Sequence, residues 1–225
     1  MKRPLLCLFF FMGLGIVDLK AQMPRHGIML GTDVPLYYSA GYEYRAAEHW
    51  FFGGKAGVLD FPFDVVLLEF MKSFDADDML VNTIGDAFSY GVQMKPYVKR
   101  MFKCFYIGGA YSYLALVAKE CPSEAIENYY GITIDDRRRS VPLTLTSTLH
   151  NIGVFTGYEV DLGNPSWALQ LELSVLKTFA SQSRIRRTSG DGLPRLSAAI
   201  DDELGSFFAK KGYLPSLNVT LCRKF

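Results

Sequence analysis

Along most of the chain, apolar and polar residues alternate one by one. The clearest stretch is 169–175, where Leu169, Leu171 and Leu173 are separated by polar residues. Successive side chains of a β-strand point to opposite faces, so this pattern predicts strands with one apolar and one polar face. The last fourteen residues, GYLPSLNVTLCRKF, follow the same pattern and end on Phe225. Such a terminal strand needs a neighbour on each edge and apolar surroundings for one face, which a closed barrel in lipid provides.

The alternation predicts seven clear strands and a weaker first one. The clear strands cover residues 36–46, 50–59, 88–98, 102–117, 147–161, 169–175 and 212–225. The weaker one is 26–32, followed by a predicted turn at Asp33, Val34 and Pro35. Two regions have helical spacing instead, one inside 60–87 and one at 197–208, and we expect a helix in each.

The lengths of the connections predict how the strands are arranged. Three predicted connections are short (47–49, 99–101 and 162–166) and three are long (60–87, 119–145 and 181–211). Bacterial outer-membrane barrels have short periplasmic turns, long outer loops and an even number of strands. Counting the weak first strand, we predict an all-β, eight-stranded antiparallel up-and-down transmembrane barrel with partly helical extracellular loops and both termini in the periplasm.

Composition and the N-terminus are compatible with an exported, membrane-embedded chain. The 225 residues suit one domain, and the formal charge of +1 gives no overall field for binding nucleic acid. Lys2 and Arg3 precede an apolar run at 5–17, and Ala21 offers a cleavage point. We therefore expect a signal peptide at 1–21 and a barrel domain at 22–225. An uncleaved anchor is the alternative.

The cysteines give no sign of a cofactor or of a disulfide framework. Cys104, Cys121 and Cys222 remain after cleavage, an odd number whose spacing matches no metal-binding pattern. We expect no cofactor and no bound metal.

The polar strand faces carry charges of both signs. In an eight-stranded barrel, side chains just fill the interior, and opposite charges there stabilise one another. We therefore predict a packed, salt-bridged interior, with a narrow channel for small solutes as the alternative. The predicted members of this network are Glu43, Arg45, Lys55, Lys95, Glu159, Asp161, Gln170 and Glu172.

Two arginine clusters fall in the predicted outer loops and are candidates for contact with glycolipid phosphates, which arginine binds bidentately. Nearby acids, including Asp135, Asp136 and Asp191, offer the alternative of local neutralisation. The clusters are Arg137, Arg138 and Arg139, and Arg184, Arg186 and Arg187.

One histidine raises the alternative of a lipid A-modifying enzyme. His150 lies near the predicted outer end of a strand, close to Ser147 and Thr148. A catalytic base must lie within hydrogen-bond reach of its nucleophile. The alternation puts His150 on the apolar face with Ile152 and Val154, which favours a histidine at the membrane interface over a catalytic one.

Two stretches resemble a known group of proteins. Residues 31–44, GTDVPLYYSAGYEY, resemble the opening hairpin of small outer-membrane β-barrel proteins of Bacteroidota, and the C-terminal strand is similar to their closing strand. This chain has Arg223 where that group usually has an aromatic residue. The resemblance implies an outer-membrane location, contact with lipid and lipopolysaccharide, and insertion by the barrel-assembly machinery. It implies no active-site residues.

These observations favour a non-enzymatic outer-membrane barrel with a structural or surface role. The alternatives are a narrow channel, a lipid-modifying enzyme and a soluble lipocalin-like carrier. A soluble carrier would place the apolar faces inside and the polar faces outside.

Overall fold

Eight antiparallel strands form one closed ring, in which each strand pairs with its neighbours in chain order and the last pairs with the first. A computed structural model describes residues 24–34, 37–59, 87–121, 142–163, 166–187 and 193–225. The strands are β1 (His26–Val34), β2 (Tyr37–Arg45), β3 (Trp50–Leu59), β4 (Phe88–Phe102), β5 (Phe105–Cys121), β6 (Leu143–Asp161), β7 (Trp167–Arg187) and β8 (Tyr213–Lys224), with helix α1 (Pro194–Lys211) before β8. The predicted fold class is confirmed.

The faces of the strands have the polarity that a membrane barrel requires. Charged side chains such as Lys95 and Glu172 are buried inside, whereas Leu30 and Leu173 are each 61% exposed on the outside. The soluble-carrier alternative is therefore wrong, because it needs the opposite arrangement.

The first and the last strand close the ring. Backbone hydrogen bonds join His26 N to Phe225 O at 3.1 Å and Phe225 N to His26 O at 2.9 Å. The two rings also stack, with their centroids 5.8 Å apart. The weak first strand is thus confirmed. The turn predicted after it begins too early, because Asp33 and Val34 belong to β1 and pair with β8.

The turn predicted at 99–101 is also wrong. β4 continues to Phe102, and the connection consists of Lys103, which has a positive φ of 60°, and Cys104. Lys99, the first residue of the predicted turn, lies inside the barrel, where its side chain is 1% exposed. A buried carboxylate compensates its charge, so the strand continues through it.

One side of the barrel is much taller than the other. β5, β6 and β7 have 17, 19 and 21 residues, whereas β1 and β2 have nine each. About ten residues suffice to cross a bilayer. We call the excess, residues 117–121, 143–149 and 181–187, the outer extension. The predicted loops 119–145 and 181–211 were therefore too long, since Cys121, Leu143 and Arg184 all lie in strands.

Helix α1 explains how the outer extension is stabilised. Leu196, Ile200, Leu204 and Phe208, spaced four residues apart, are buried in an apolar cluster with inward residues of β5, β6 and β7. This confirms the predicted helix at 197–208, with wider bounds. Among the described residues, no helix combines the length and apolar character needed to cross a bilayer.

The same helix covers a strand edge that β8 leaves unpaired. β8 pairs with β7 only as far as Lys177. Beyond it, Ser183 N donates to Asp201 Oδ1 at 2.6 Å, and Ile185 N donates to Ser197 Oγ at 3.2 Å. Side chains of α1 thus satisfy backbone groups that would otherwise form an open edge.

Some predicted features lie outside the described residues. These are the signal peptide at 1–21, the predicted helix within 60–87 apart from Ala87, and the cluster Arg137, Arg138 and Arg139.

Deleting Phe225 is expected to lower the yield of refolded barrel, because it removes two closing hydrogen bonds and a ring stack. The yield can be followed by the fluorescence of Trp50 and Trp167 as they enter detergent micelles. Phe225→Leu keeps the backbone bonds and is the matched control, with a smaller expected loss. Equal yields for the deletion and the intact chain would contradict the role of this residue in closure.

Candidate functional site

The interior of the barrel holds equal numbers of positive and negative groups within the described part of the chain. They occupy inward positions on β1 to β4 and β6 to β8, where the alternation of the strands directs them. All are buried except Lys224, whose side chain is 22% exposed. The four carboxylates are Asp33, Glu43, Glu159 and Glu172, and the four amines are Lys55, Lys95, Lys99 and Lys224.

The central cluster is organised around Glu172. Lys55 and Lys95 are direct partners across the β3–β4 pair and both face inward. Like charges in such a position repel each other. Glu172 lies between them, with Oε2 3.8 Å from Lys55 Nζ and Oε1 3.2 Å from Lys95 Nζ. Asp33 Oδ2 lies 3.5 Å from the same Lys95 Nζ. Two lysines and two carboxylates thus balance at this level.

A second cluster forms around Glu43. Its Oε2 atom lies 2.6 Å from Lys99 Nζ and accepts a hydrogen bond from Tyr97 OH at 2.8 Å. The Lys99 ammonium also lies over the ring of Tyr106, 4.5 Å from the centroid, which is cation–π geometry. Tyr97 and Tyr106 pack edge-on against Phe155. The same rings contact the central cluster, because Lys55 lies over Tyr97 and Lys95 lies over Phe155.

A third cluster closes the periplasmic end, where β1 begins, β8 ends and the short connections lie. Lys224 Nζ is 2.5 Å from Glu159 Oε1, and Gln170 Nε2 donates to Glu159 Oε2 at 2.8 Å. Asp161 is 3.4 Å from Lys224, but its side chain is 66% exposed.

Towards the outer end the interior changes from charged to neutral and then to apolar. Gln93 Nε2 donates to Ser112 Oγ at 2.6 Å, and Thr178 Oγ1 donates to Asn151 Oδ1 at 2.7 Å. The next inward position after Ser112 is Leu114, which belongs to the apolar cluster under α1. The polar interior is thus bounded by an apolar layer on this side.

Six of the eight residues predicted for the interior network lie inside. They are Glu43, Lys55, Lys95, Glu159, Gln170 and Glu172. Arg45 and Asp161 instead lie at the periplasmic rim, where Arg45 Nε donates to Glu48 O at 3.2 Å. They occupy the last inward positions of their strands, beyond the enclosed space.

The sequence prediction missed three charged members of the interior. Asp33 and Lys99 fall in the two predicted turns at 33–35 and 99–101, but the structure places these two residues in β1 and β4. Lys224 lies on the polar face of β8 but was not assigned to the network. The alternation, continued through each strand end, would have placed all three inside.

Apolar residues form the lipid-facing belt, and aromatic residues border it at both ends, as in membrane barrels. The belt includes Ile28, Leu30, Met94, Ile107, Ile152, Val154, Leu173 and Leu217. The periplasmic girdle consists of Tyr44, Trp50, Phe102, Phe105, Tyr158, Trp167 and Phe225, and the outer girdle of Tyr38, Tyr90, Tyr111, Phe179 and Tyr213.

Basic side chains accompany both girdles. At the periplasmic girdle, the Arg223 guanidinium lies over the Trp167 ring, 5.6 Å from its centroid. At the outer girdle, Lys177 lies over the Tyr213 ring at 4.0 Å. An arginine stacked on a tryptophan keeps its charge at the interface while its stem covers apolar surface.

The structure does not bring His150 and Ser147 together. His150 points outward into the girdle, where its Nδ1 atom is 2.6 Å from Tyr111 OH. Ser147 points inward and its Oγ is 2.9 Å from Ser183 Oγ. Thr148 shares the face of His150 but donates to Gln182 O at 3.2 Å. Among the described residues, no group of three or more His, Cys, Asp or Glu could hold a metal ion.

The second arginine cluster lies on a strand rather than in a loop. Arg184 and Arg186 are exposed on the outward face of β7, and Arg187, at its end, is half-buried. The acids Asp135, Asp136 and Asp191 fall outside the described residues.

Comparison with known proteins finds similarity in structure alone. No family model and no curated protein matches the chain. A major outer membrane protein of Thermus thermophilus is 12% identical, with 91% of this chain and 100% of that chain covered and a TM-score of 0.47. Acinetobacter baumannii CarO2 is 10% identical (91% and 100% covered, TM-score 0.40), and Acinetobacter baumannii CarO is 12% identical (90% and 98%, TM-score 0.41).

The fold class follows from the geometry of the chain itself. A closed antiparallel ring with a charged interior, an apolar belt and two aromatic girdles defines an eight-stranded barrel of the outer-membrane type. The resemblance to Bacteroidota proteins in particular stays a prediction.

Replacing Lys95 with Met is expected to destabilise the barrel by about 3–5 kcal/mol, because it leaves Asp33 and Glu172 buried with less positive charge. The midpoint of urea unfolding in lipid vesicles measures this change. Adding Asp33→Asn should recover part of the loss, since it removes the surplus negative charge. Met94→Leu, on the adjacent lipid-facing position, is the control with little expected effect. A Lys95→Met barrel as stable as the native one would contradict the charge balance between Lys55, Lys95, Asp33 and Glu172.

Proposed function

We propose that this chain is exported with cleavage after residue 21 and inserted into the outer membrane by the barrel-assembly machinery. There it acts as a non-enzymatic barrel with a closed interior, and its outer extension carries a structural or surface-binding role. The supporting observations are the filled interior and the height of the β5–β7 side.

The main support for a closed interior is that its charges are paired with opposite charges and that an apolar layer bounds them at the outer end. Each of its four lysines lies within 4 Å of a carboxylate. Ordered charges of this kind resist displacement, because separating a buried pair costs several kcal/mol. The apolar cluster under α1 adds a layer that lacks charged groups among its members.

The outer extension supports a role at the cell surface. Its inward face is occupied by α1, and α1 also covers the β7 edge through Ser197 and Asp201. The outward face remains exposed at Arg184 and Arg186. A sheet that rises beyond the outer girdle and is stabilised by its own helix offers a rigid surface for contact.

The non-enzymatic part of the proposal is supported by the opposite orientations of His150 and Ser147. A nucleophile and its base must lie within hydrogen-bond reach. Within the described ranges, His150 contacts aromatic residues and Tyr111 OH instead, which suits an interfacial anchor.

A narrow channel is the second candidate, because several buried polar atoms have no hydrogen-bond partner among the described residues. They include Asp33 Oδ1 and the hydroxyls of Tyr37 and Tyr106. Buried groups of this kind commonly bind water. A chain of water through the interior would favour slow passage of very small solutes.

Conductance in planar bilayers distinguishes the two candidates. The native chain is expected to show no steady conductance, because compensated charges and bulky aromatic side chains fill the interior. Protease protection verifies that the refolded protein has inserted, so that an absence of conductance cannot result from an absence of protein in the bilayer. A stable open channel would overturn the closed interior and favour the second candidate.

A further inference from the structure

We propose that the outward face of the outer extension binds the phosphate groups of an outer-leaflet glycolipid. The proposed site consists of Lys119, Arg184 and Arg186, with the hydroxyls of Thr144 and Thr146 between them. This inference deepens the proposed surface role, and it rests on the location of the barrel in the outer membrane.

The strand register brings these residues into two adjacent rows. Thr146 pairs with Arg184 of β7 on one side and with Val117 of β5 on the other. Thr144 pairs with Arg186, and the bulge in β5 between Ala118 and Cys121 brings exposed Lys119 to the other side of this row. Arg184 and Arg186 are two residues apart, so their Cα atoms are separated by about 7 Å. Two guanidinium groups at that spacing can hold one phosphate or neighbouring phosphates bidentately.

The charges of this face are not compensated within the described part of the chain. Neither Arg184 nor Arg186 forms an ion pair there, in contrast to the four interior lysines. Lys119 lies over the ring of Tyr90, 5.3 Å from the centroid. This contact does not neutralise the ammonium group, because the ring carries no charge. Two unpaired guanidinium groups and an ammonium group next to neutral hydroxyls are complementary to an anion with several oxygen atoms.

The position along the strand selects a lipid as the source of that anion. Phe179 and Tyr111 of the outer girdle are on the same outward face, with ring centroids 6.4 Å apart. Arg184 lies five residues above Phe179, about 16 Å along a strand and roughly 12 Å in height for a tilted one. The arginines therefore lie just outside the hydrocarbon layer, continuous with the lipid-facing belt. A glycolipid can place its acyl chains along the belt and its phosphates at the arginines.

The test uses the full mature chain in detergent micelles, with native mass spectrometry to count bound lipid. The probe is lipid A carrying two phosphates. The native barrel is expected to retain it, and Arg184→Ala/Arg186→Ala is expected to bind about tenfold more weakly, given the strength of hydrogen bonds between charged groups. Arg195→Ala, which removes an exposed positive charge on α1, is the control that should keep the native affinity.

Further arms separate the phosphate contact from binding through the acyl chains or through charge alone. Phosphate-free lipid A should bind as weakly to the native barrel as two-phosphate lipid A binds to the double variant. Arg184→Lys/Arg186→Lys keeps the charge without the bidentate geometry and should give an intermediate affinity. Equal binding of the native and Ala variants, or of lipid A with and without phosphate, would overturn the proposal.

The conductance and lipid-binding experiments distinguish an error in the glycolipid site from an error in the proposed function. If the native barrel is closed to ions but the arginine variants bind lipid A normally, the glycolipid site is wrong and the closed-barrel function stands. If the barrel conducts while the variants lose lipid A, the closed interior is wrong and the glycolipid site stands.

Discussion

Two lysines face each other inside the barrel, and one carboxylate from another strand contacts both of them. Lys55 and Lys95 are cross-strand partners, and Glu172 contacts both with its two oxygens at 3.8 and 3.2 Å. Without Glu172, Asp33 would be left as the one carboxylate near two buried ammonium groups, which is strongly unfavourable. This contact joins β3 and β4 to β7 through the interior, so it requires the ring to be closed.

The rest of the interior follows from the same constraint. The interior of an eight-stranded barrel is just wide enough for its own side chains to fill it. Every charge that the alternation turns inward must therefore find an opposite charge on another strand. Glu43 with Lys99 and Glu159 with Lys224 meet this need at successive levels towards the periplasmic end. A shift of one residue in any strand that carries an inward charge would send that charge into lipid, so the charge pairs and the apolar belt together fix the register.

Much of this arrangement could be predicted from the sequence, because the period of two distinguishes the inner from the outer face. The strand positions and the inward direction of Lys55, Lys95 and Glu172 follow from it. The period of two cannot show which charges meet, because it describes neighbours along one strand, whereas Lys95 and Glu172 are 77 residues apart. It also failed at strand ends, where Lys99 looked like part of a turn. Most of the outer extension falls in predicted loops, because its inner face is covered by α1 rather than by the barrel, a contact that no local pattern reveals.

The most direct test of the account is the gel mobility of the native protein in the membrane fraction before and after heating. A barrel closed by eight paired strands and bridged through its interior should resist SDS until boiled. It should then run at one apparent mass unheated and at another after boiling, in the outer-membrane fraction. A soluble periplasmic protein with the same mobility under both conditions would contradict the closed, lipid-embedded barrel.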